Sequence, residues 1–213
     1  VAVGKDSLEA NTTGSANVAV GASAGDSLTD GASNVIIGQN AGSTTTSVAS
    51  SVIIGQGAGA GGNITTAANG TVAVGQDALN AITIGAGNTV IGYQAASVVT
   101  EGLYNTVLGF QAFGTSTVHS DNNTAIGYQS LYAMNADANG HGSNTAVGGK
   151  SGYALSTGTQ NTLLGYKAGG TGTITGDSNV VVGVEAGENL TSGASNILIG
   201  VQAGRLLTTG ATN

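Results

Sequence analysis

The sequence predicts an all-β fold, a β-solenoid of about twelve coils with a period near 17 residues. Three observations predict it. One glycine recurs at a near-constant spacing, a short run of β-formers precedes it every time, and an asparagine precedes that run in nine of the eleven complete units. Self-similarity sustained along a whole chain marks a repeat architecture, in which one supersecondary unit is stacked on itself.

The recurring glycine sets the frame of the repeat. It stands at Gly4, Gly21, Gly38, Gly55, Gly75, Gly92, Gly109, Gly127, Gly148, Gly165, Gly183 and Gly200, with spacings of 17, 17, 17, 20, 17, 17, 18, 21, 17, 18 and 17. The three residues before it read Val35-Ile36-Ile37 or Thr162-Leu163-Leu164, β-formers in a run too short for a helix. A residue free to adopt positive φ closes the run, so each unit holds one short strand ending in a glycine turn.

Neighbouring positions of a strand point to opposite faces. The residues one and two before the glycine are apolar in all twelve units, so both faces are expected to be buried. One face packs inside the coil; the other requires a second partner. The residue three after the glycine is always Ala or Ser, from Ser7 and Ala24 to Ala186 and Ala203, as a crowded turn between stacked neighbours demands. The rest of each unit is polar apart from a single aliphatic such as Leu28, Val99, Leu190 or Leu207, and this outer segment is expected to face solvent.

Stacking gives the asparagines a role. Asn17, Asn34, Asn88, Asn105, Asn123, Asn144, Asn161, Asn179 and Asn196 occupy the place four before the glycine, with Ser51 and Thr71 as exceptions. Coils spaced about 4.8 Å apart would bring these amides into a ladder of mutual hydrogen bonds. A lone coil offers too few aliphatic side chains to offset the ordering of its backbone, so neighbouring coils and neighbouring chains must supply the remaining burial. Twelve such coils would form a rod about 60 Å long.

Composition narrows the function classes. The 213 residues include 38 Gly and no Pro, Cys or Trp, so neither disulfides nor cysteine metal sites enter the argument. The net charge of −7 leaves only Lys5, Lys150, Lys167 and Arg205 as basic residues, no footprint for a nucleic acid partner. The longest apolar runs, as in NVVVG and SVIIG, fall far short of the roughly 20 residues of a spanning helix, so no direct membrane insertion is expected. The chain opens on Val1-Ala2-Val3-Gly4, inside a repeat unit, and residues 1–213 read as one repetitive segment of a longer fibrous protein.

Units such as NTAIGYQSL, NTAVGGKSG and SNVVVGVEAG resemble the YadA-like head repeats of trimeric autotransporter adhesins, and are similar to repeats of bacteriophage tail fibres. The resemblance covers essentially the whole chain. It implies a left-handed β-roll, three parallel chains around a common axis, an extracellular place on a virion tail or bacterial surface, and attachment to a host-cell receptor or glycan. The 17-residue period is longer than the usual head-domain unit, and the sequence shows no neck, coiled-coil or membrane-anchor pattern. Units with Tyr-Gln after the glycine are closer to the phage repeats. A hexapeptide β-helix fits poorly, because six residues after Ile91 stands Ser97 and six after Val182 stands Glu188.

No catalytic residue, metal set or cofactor motif emerges. Gly149-Lys150-Ser151 imitates the end of a P-loop, but Asn144 stands where that motif needs glycine. GQGAGAGG from Gly55 reads as a widened turn. His119, His141 and Asp137 read as solvated loop residues without ligand spacing. The aromatics are the candidate binding feature: Tyr93, Phe110, Tyr128 and Tyr166 follow the glycine in four units and would fall on one line, with Phe113, Tyr132 and Tyr153 nearby. Such a stripe either binds sugars or a receptor by stacking, or packs as a structural aromatic ladder. The insertions Asn63 to Gly70 and Met134 to Gly142 lengthen the outer loop, where recognition is often carried.

The expected function is therefore a structural and adhesive fibre segment. Two alternatives have sequence support. Thr89, Thr106, Thr124, Thr145 and Thr162 align over five consecutive units, as an ice-binding solenoid would have it, although Val or Ile at the same place elsewhere predicts partial burial. End coils at Val1 to Gly4 and Asn196 to Gly204, if uncapped, would let the chain assemble into an open filament.

Overall fold

A computed structural model describes residues 1–115, 120–134, 142–170 and 172–212. The chain divides into two compact units, Val1–Tyr104 and Asn105–Asn213. Both are β-solenoids with one three-residue strand per coil, save a two-residue first strand. The first unit carries β1 (Ala2–Val3), β2 (Val18–Val20), β3 (Val35–Ile37), β4 (Val52–Ile54), β5 (Val72–Val74) and β6 (Thr89–Ile91). The second carries β7 (Thr106–Leu108), β8 (Thr124–Ile126), β9 (Thr145–Val147), β10 (Thr162–Leu164), β11 (Val180–Val182) and β12 (Ile197–Ile199). Within each unit successive strands pair in parallel and in register, Val35 with Val52 and Thr145 with Thr162. The one helical element described is a 3-10 turn at Thr66–Ala68, and no described helix is long and apolar enough to cross a membrane.

The strand's central residue is the inner knob of the core. Ile36, Ile53, Val90, Leu163 and Val181 are buried, while the residues on either side in each strand are half-buried or exposed. Each coil thus buries one strand face by itself and leaves the other apolar face outward. The alanines expected in the turn are buried too, save the half-buried Ala203 of the last coil, and where Ser replaces them its hydroxyl bonds to a strand of the next coil: Ser130 Oγ donates to Ala146 O at 2.9 Å and Ser151 Oγ to Leu163 O at 2.8 Å.

Core volume is shared between the central strand residue and the residue four after the glycine. Coils with Ile36, Ile53, Leu163 or Leu198 carry Gly42, Gly59, Gly169 or Gly204 there, whereas coils with Ala73 or Ala125 carry Leu79 or Leu131. Neighbours fill what one coil leaves open. A Cβ on Gly152, whose own strand has Ala146, would lie 2.8 Å from both Leu131 and Leu163 of the adjacent coils. Close packing of this kind leaves no room for an added methyl.

The outer segment differs from the expectation of a solvent-facing stretch. Leu28, Val48, Ile64, Ile82, Val99, Met134, Leu155, Ile174 and Leu190 turn inward and are buried, closing the core opposite the strand. An aliphatic side chain of that size is worth about 2 kcal/mol when withdrawn from water, enough to pull an otherwise polar loop back over the core. The insertion at Asn63 to Gly70 follows the same rule: Ile64 is buried, and Asn69 Oδ1 accepts the Ala49 N–H at 2.7 Å.

The asparagine ladder is more than amide to amide. In the second unit Asn105, Asn123, Asn144, Asn161, Asn179 and Asn196 are buried, and each Oδ1 of the first five accepts the backbone N–H of the next at 2.9–3.0 Å. The same oxygen accepts the next Nδ2 at 3.0–3.3 Å. Nδ2 also ties the strand to an outer segment, as from Asn161 to Gly176 O at 3.0 Å and from Asn179 to Gly193 O at 2.9 Å. In the first unit Asn17 and Asn34 do the same, Asn34 Oδ1 receives the Ser51 N–H at 3.0 Å, and Ser51 Oγ receives the Thr71 N–H at 3.2 Å. Asn88 Nδ2 donates to Gly85 O at 2.7 Å and Gly102 O at 2.6 Å. The ladder requires an acceptor at each rung, which is why Ser can replace Asn.

Each coil uses four left-handed positions where the sequence suggested one. The recurring glycine has φ of 125–141°, and a Cβ on Gly165 would sit 2.6 Å from Gly183 O. The residues two and four after it, and the one five before it, also have positive φ, among them Asp77, Lys150, Leu131 and Ser178. Strain of this kind costs about 1–3 kcal/mol per residue. Inter-coil hydrogen bonds continue through the turns and offset it, as from Lys150 N to Tyr128 O at 2.8 Å and Gly152 N to Ala168 O at 2.9 Å.

Candidate functional site

The turn after the strand positions the aromatic side chains. A residue directly after the glycine leaves the coil at the corner, where the backbone ladder holds it and the solvent reaches it. Tyr93 in the first unit, and Phe110, Tyr128 and Tyr166 in the second, are all exposed at this corner. In the second unit Phe110 and Tyr128 stack with ring centroids 5.7 Å apart and planes 28° from parallel. Gly149 interrupts the row, and the ring of Tyr166 lies beside it, 3.5 Å from where a Cβ would stand.

The residues expected nearby separate into two groups. Phe113, four after its glycine, is fully buried and belongs to the core, so it forms no part of the surface. Tyr132 and Tyr153, five after theirs, turn outward and stack at 5.2 Å with planes 3° apart. One step along the turn reverses the direction of the side chain. The structure thus brings Tyr128, Tyr132, Tyr153 and Tyr166 to one side of the second unit.

The sequence does not single out the lysines that lie over these rings. Lys150 Nζ stands 5.9 Å from the centroid of Tyr128 and 5.3 Å from that of Tyr153, and Lys167 Nζ is 5.3 Å from the Tyr166 ring. Such contacts hold a cation by the ring quadrupole. The signal was present: both lysines stand two residues after the recurring glycine in consecutive coils, next to an aromatic place. Gln129 of the preceding coil occupies the same row, its Nε2 donating to Gln111 Oε1 at 3.0 Å. Glu185 of the following coil ends the positive stretch, accepting from Gln202 Nε2 at 3.0 Å.

Other motifs resolve as structure. Ser151 of the P-loop imitation is buried with its hydroxyl bonded to Leu163 O, and GQGAGAGG is a turn in which Gly61 and Gly62 N–H groups bond to Asn80 O at 2.8 and 3.0 Å. His119, His141 and Asp137 lie outside the described residues. Among the described residues no group of three His, Cys, Asp or Glu is placed to hold a metal ion, and no enclosed cavity opens. Any ligand of the described surface meets an open face.

The strand threonines differ from the partial burial expected of them. Thr89, Thr106, Thr145 and Thr162 are exposed and Thr124 is half-buried, because they share the outward strand face with Ile91, Leu108, Val147, Leu164 and Ile126. Comparison with protein-family models, curated proteins and solved structures gives no match, so the functional reading rests on this geometry.

Proposed function

We propose that the chain is a structural and adhesive segment of an extracellular fibre, assembled as a parallel homotrimer and attaching a virion tail or a bacterial cell to a host-cell receptor or glycan. The observation that carries this reading is the outward strand face. Leu108, Ile126, Val147, Leu164, Val182 and Ile199 stand in register along the second unit, and Leu108, Leu164 and Ile199 are 45, 46 and 67% exposed. The first unit repeats the pattern with Val20, Ile37, Ile54, Val74 and Ile91. Soluble monomers rarely leave so continuous an apolar row in water, and a symmetric partner with the same period would cover it. Three copies then present each surface feature three times, and weak contacts gain avidity. The test is Leu164→Glu with the native mass as readout. A charge on the outward row leaves the coil's own core untouched, so the variant keeps its β-sheet circular dichroism and loses the assembly; an unchanged mass counts against the reading.

A second reading draws on the exposed threonines. Thr106, Thr145 and Thr162 stand one per coil in a regular row, the arrangement by which a solenoid could order water at an ice surface. Thermal hysteresis of the purified protein supports it; growth of ordinary, unfaceted ice crystals excludes it.

A further inference from the structure

We infer that the corner of the second unit formed by Tyr128, Tyr132, Lys150, Tyr153, Tyr166 and Lys167 is a binding surface for an anionic saccharide. The inference rests on the adhesive reading and names the ligand chemistry of its surface.

Charge carries the first step. The chain has four basic residues. Lys5 is paired with Asp6 and Arg205 with Glu188, each at 2.6 Å. Lys150 and Lys167 have no carboxylate partner among the described residues; their ammonium groups rest on tyrosine rings instead. Two unneutralised cations on consecutive coils of a chain with net charge −7 make a local site for an anion. A ring quadrupole holds an ammonium in place without cancelling its charge, so the site is preorganised and still attractive.

Ring chemistry carries the second step. Tyr128 and Tyr166 are exposed, with Phe110 stacked on Tyr128 and the ammonium groups of Lys150 and Lys167 over the Tyr128 and Tyr166 rings, and the stacked pair of Tyr132 and Tyr153 stands beside Lys150. Aromatic faces with polar hydroxyl edges suit the apolar C–H face and hydroxyl rim of a pyranose. Gly149 removes one side chain from the row between Tyr128 and Tyr166, and the Tyr166 ring leans into that space, 3.5 Å from where a Cβ would stand. An open face repeating coil by coil fits an extended chain of sugars better than a small molecule, which needs a concave site. Carboxylated sugars satisfy both halves of the surface at once. An oligonucleotide also stacks and carries charge, but two lysines on an acidic chain supply little of the phosphate neutralisation that dominates such binding.

The experiment is calorimetric titration of the full 213-residue chain with trigalacturonate, with its methyl ester and with an oligothymidylate. The acid and the ester share their rings and differ in charge. Trigalacturonate is expected to bind about tenfold more tightly than the ester, and Lys150→Gln with Lys167→Gln to remove that preference, while Lys5→Gln leaves it intact. Tyr128→Ala is expected to weaken both, the acid somewhat more than the ester because Lys150 loses one of its two rings. Circular dichroism checks that each variant keeps its sheet. Equal affinity for acid and ester, no affinity for either, unchanged binding by the double lysine variant, or equally tight binding of the oligothymidylate would each overturn the inference. Failure here with a trimeric native mass leaves the fibre reading standing; a monomeric mass with saccharide binding removes the fibre and keeps the site.

Discussion

Replacing Asn161 with Ala removes one side chain and disturbs three consecutive coils. Asn161 Oδ1 accepts the Asn179 backbone N–H at 2.9 Å and Asn179 Nδ2 at 3.0 Å, while its own Nδ2 donates to Asn144 Oδ1 at 3.2 Å and Gly176 O at 3.0 Å. Asn161 is buried, out of reach of bulk solvent. Asn144 Oδ1 keeps one bond, from the Asn161 backbone N–H at 2.9 Å. The Asn179 N–H and the Gly176 carbonyl lose theirs. A buried polar group left unpaired costs about 1–3 kcal/mol, so two place the loss near 3–4 kcal/mol. Asn161→Ser should cost about half, because a hydroxyl at that rung still accepts, as Ser51 does for Thr71 at 3.2 Å. Thermal melting should fall by roughly 6–16 °C for Ala. Repeat arrays can unravel in parts, so amide hydrogen exchange at Asn179 is the sharper readout, with protection falling about a hundredfold or more. Wild-type melting together with unchanged exchange at Asn179 would refute the ladder as a stabilising element.

Gly165→Ala should abolish or severely weaken folding, since the new Cβ meets the Gly183 carbonyl oxygen at 2.6 Å in a backbone conformation with φ of 131°. Gly149→Ala is its control: the added carbon makes ordinary contact with Tyr166 at 3.5 Å, and melting within about 1 °C of wild type is expected. Gly25→Ala presses on Ile36 at 2.9 Å and should cost about 1–3 kcal/mol by urea unfolding. Ile36→Val in the same chain should recover part of that loss, and simple additivity of the two would argue against shared volume.

The parts of the fold visible in the sequence are those fixed by local chemistry and repeated without change. Gly165 marks its turn because no other residue fits there, and Asn144 marks a rung because its amide both donates and accepts. Parallel register follows from the period alone. Burial of Leu28 and Leu190 was hidden because a lone aliphatic in a polar loop has no period of its own; its recurrence seven residues after the glycine in several coils was the available signal. The left-handed place four after the glycine did leave a trace, since glycine fills it at Gly25, Gly42, Gly59, Gly152, Gly169, Gly187 and Gly204, whereas at Lys150 and Leu131 the inter-coil ladder and not residue preference imposes the conformation. The candidate surface was half legible. Tyr128 and Tyr166 were found from their place beside the glycine, but assigning Phe113 to the core and Tyr132 to the surface required the direction of each turn residue. Lys150 and Lys167 matter through their contacts with rings in space, which the spacing suggests only once the corner is known.

The native mass of the particle, measured by light scattering with the 20.3 kDa chain as the unit, tests the account most directly. Three chain masses are predicted, because the outward row from Leu108 to Ile199 is apolar and uncovered in the single chain. A stable monomer at working concentration would contradict the trimer. It would mean that this face is tolerated in water, and the exposed threonines would then become the feature to explain.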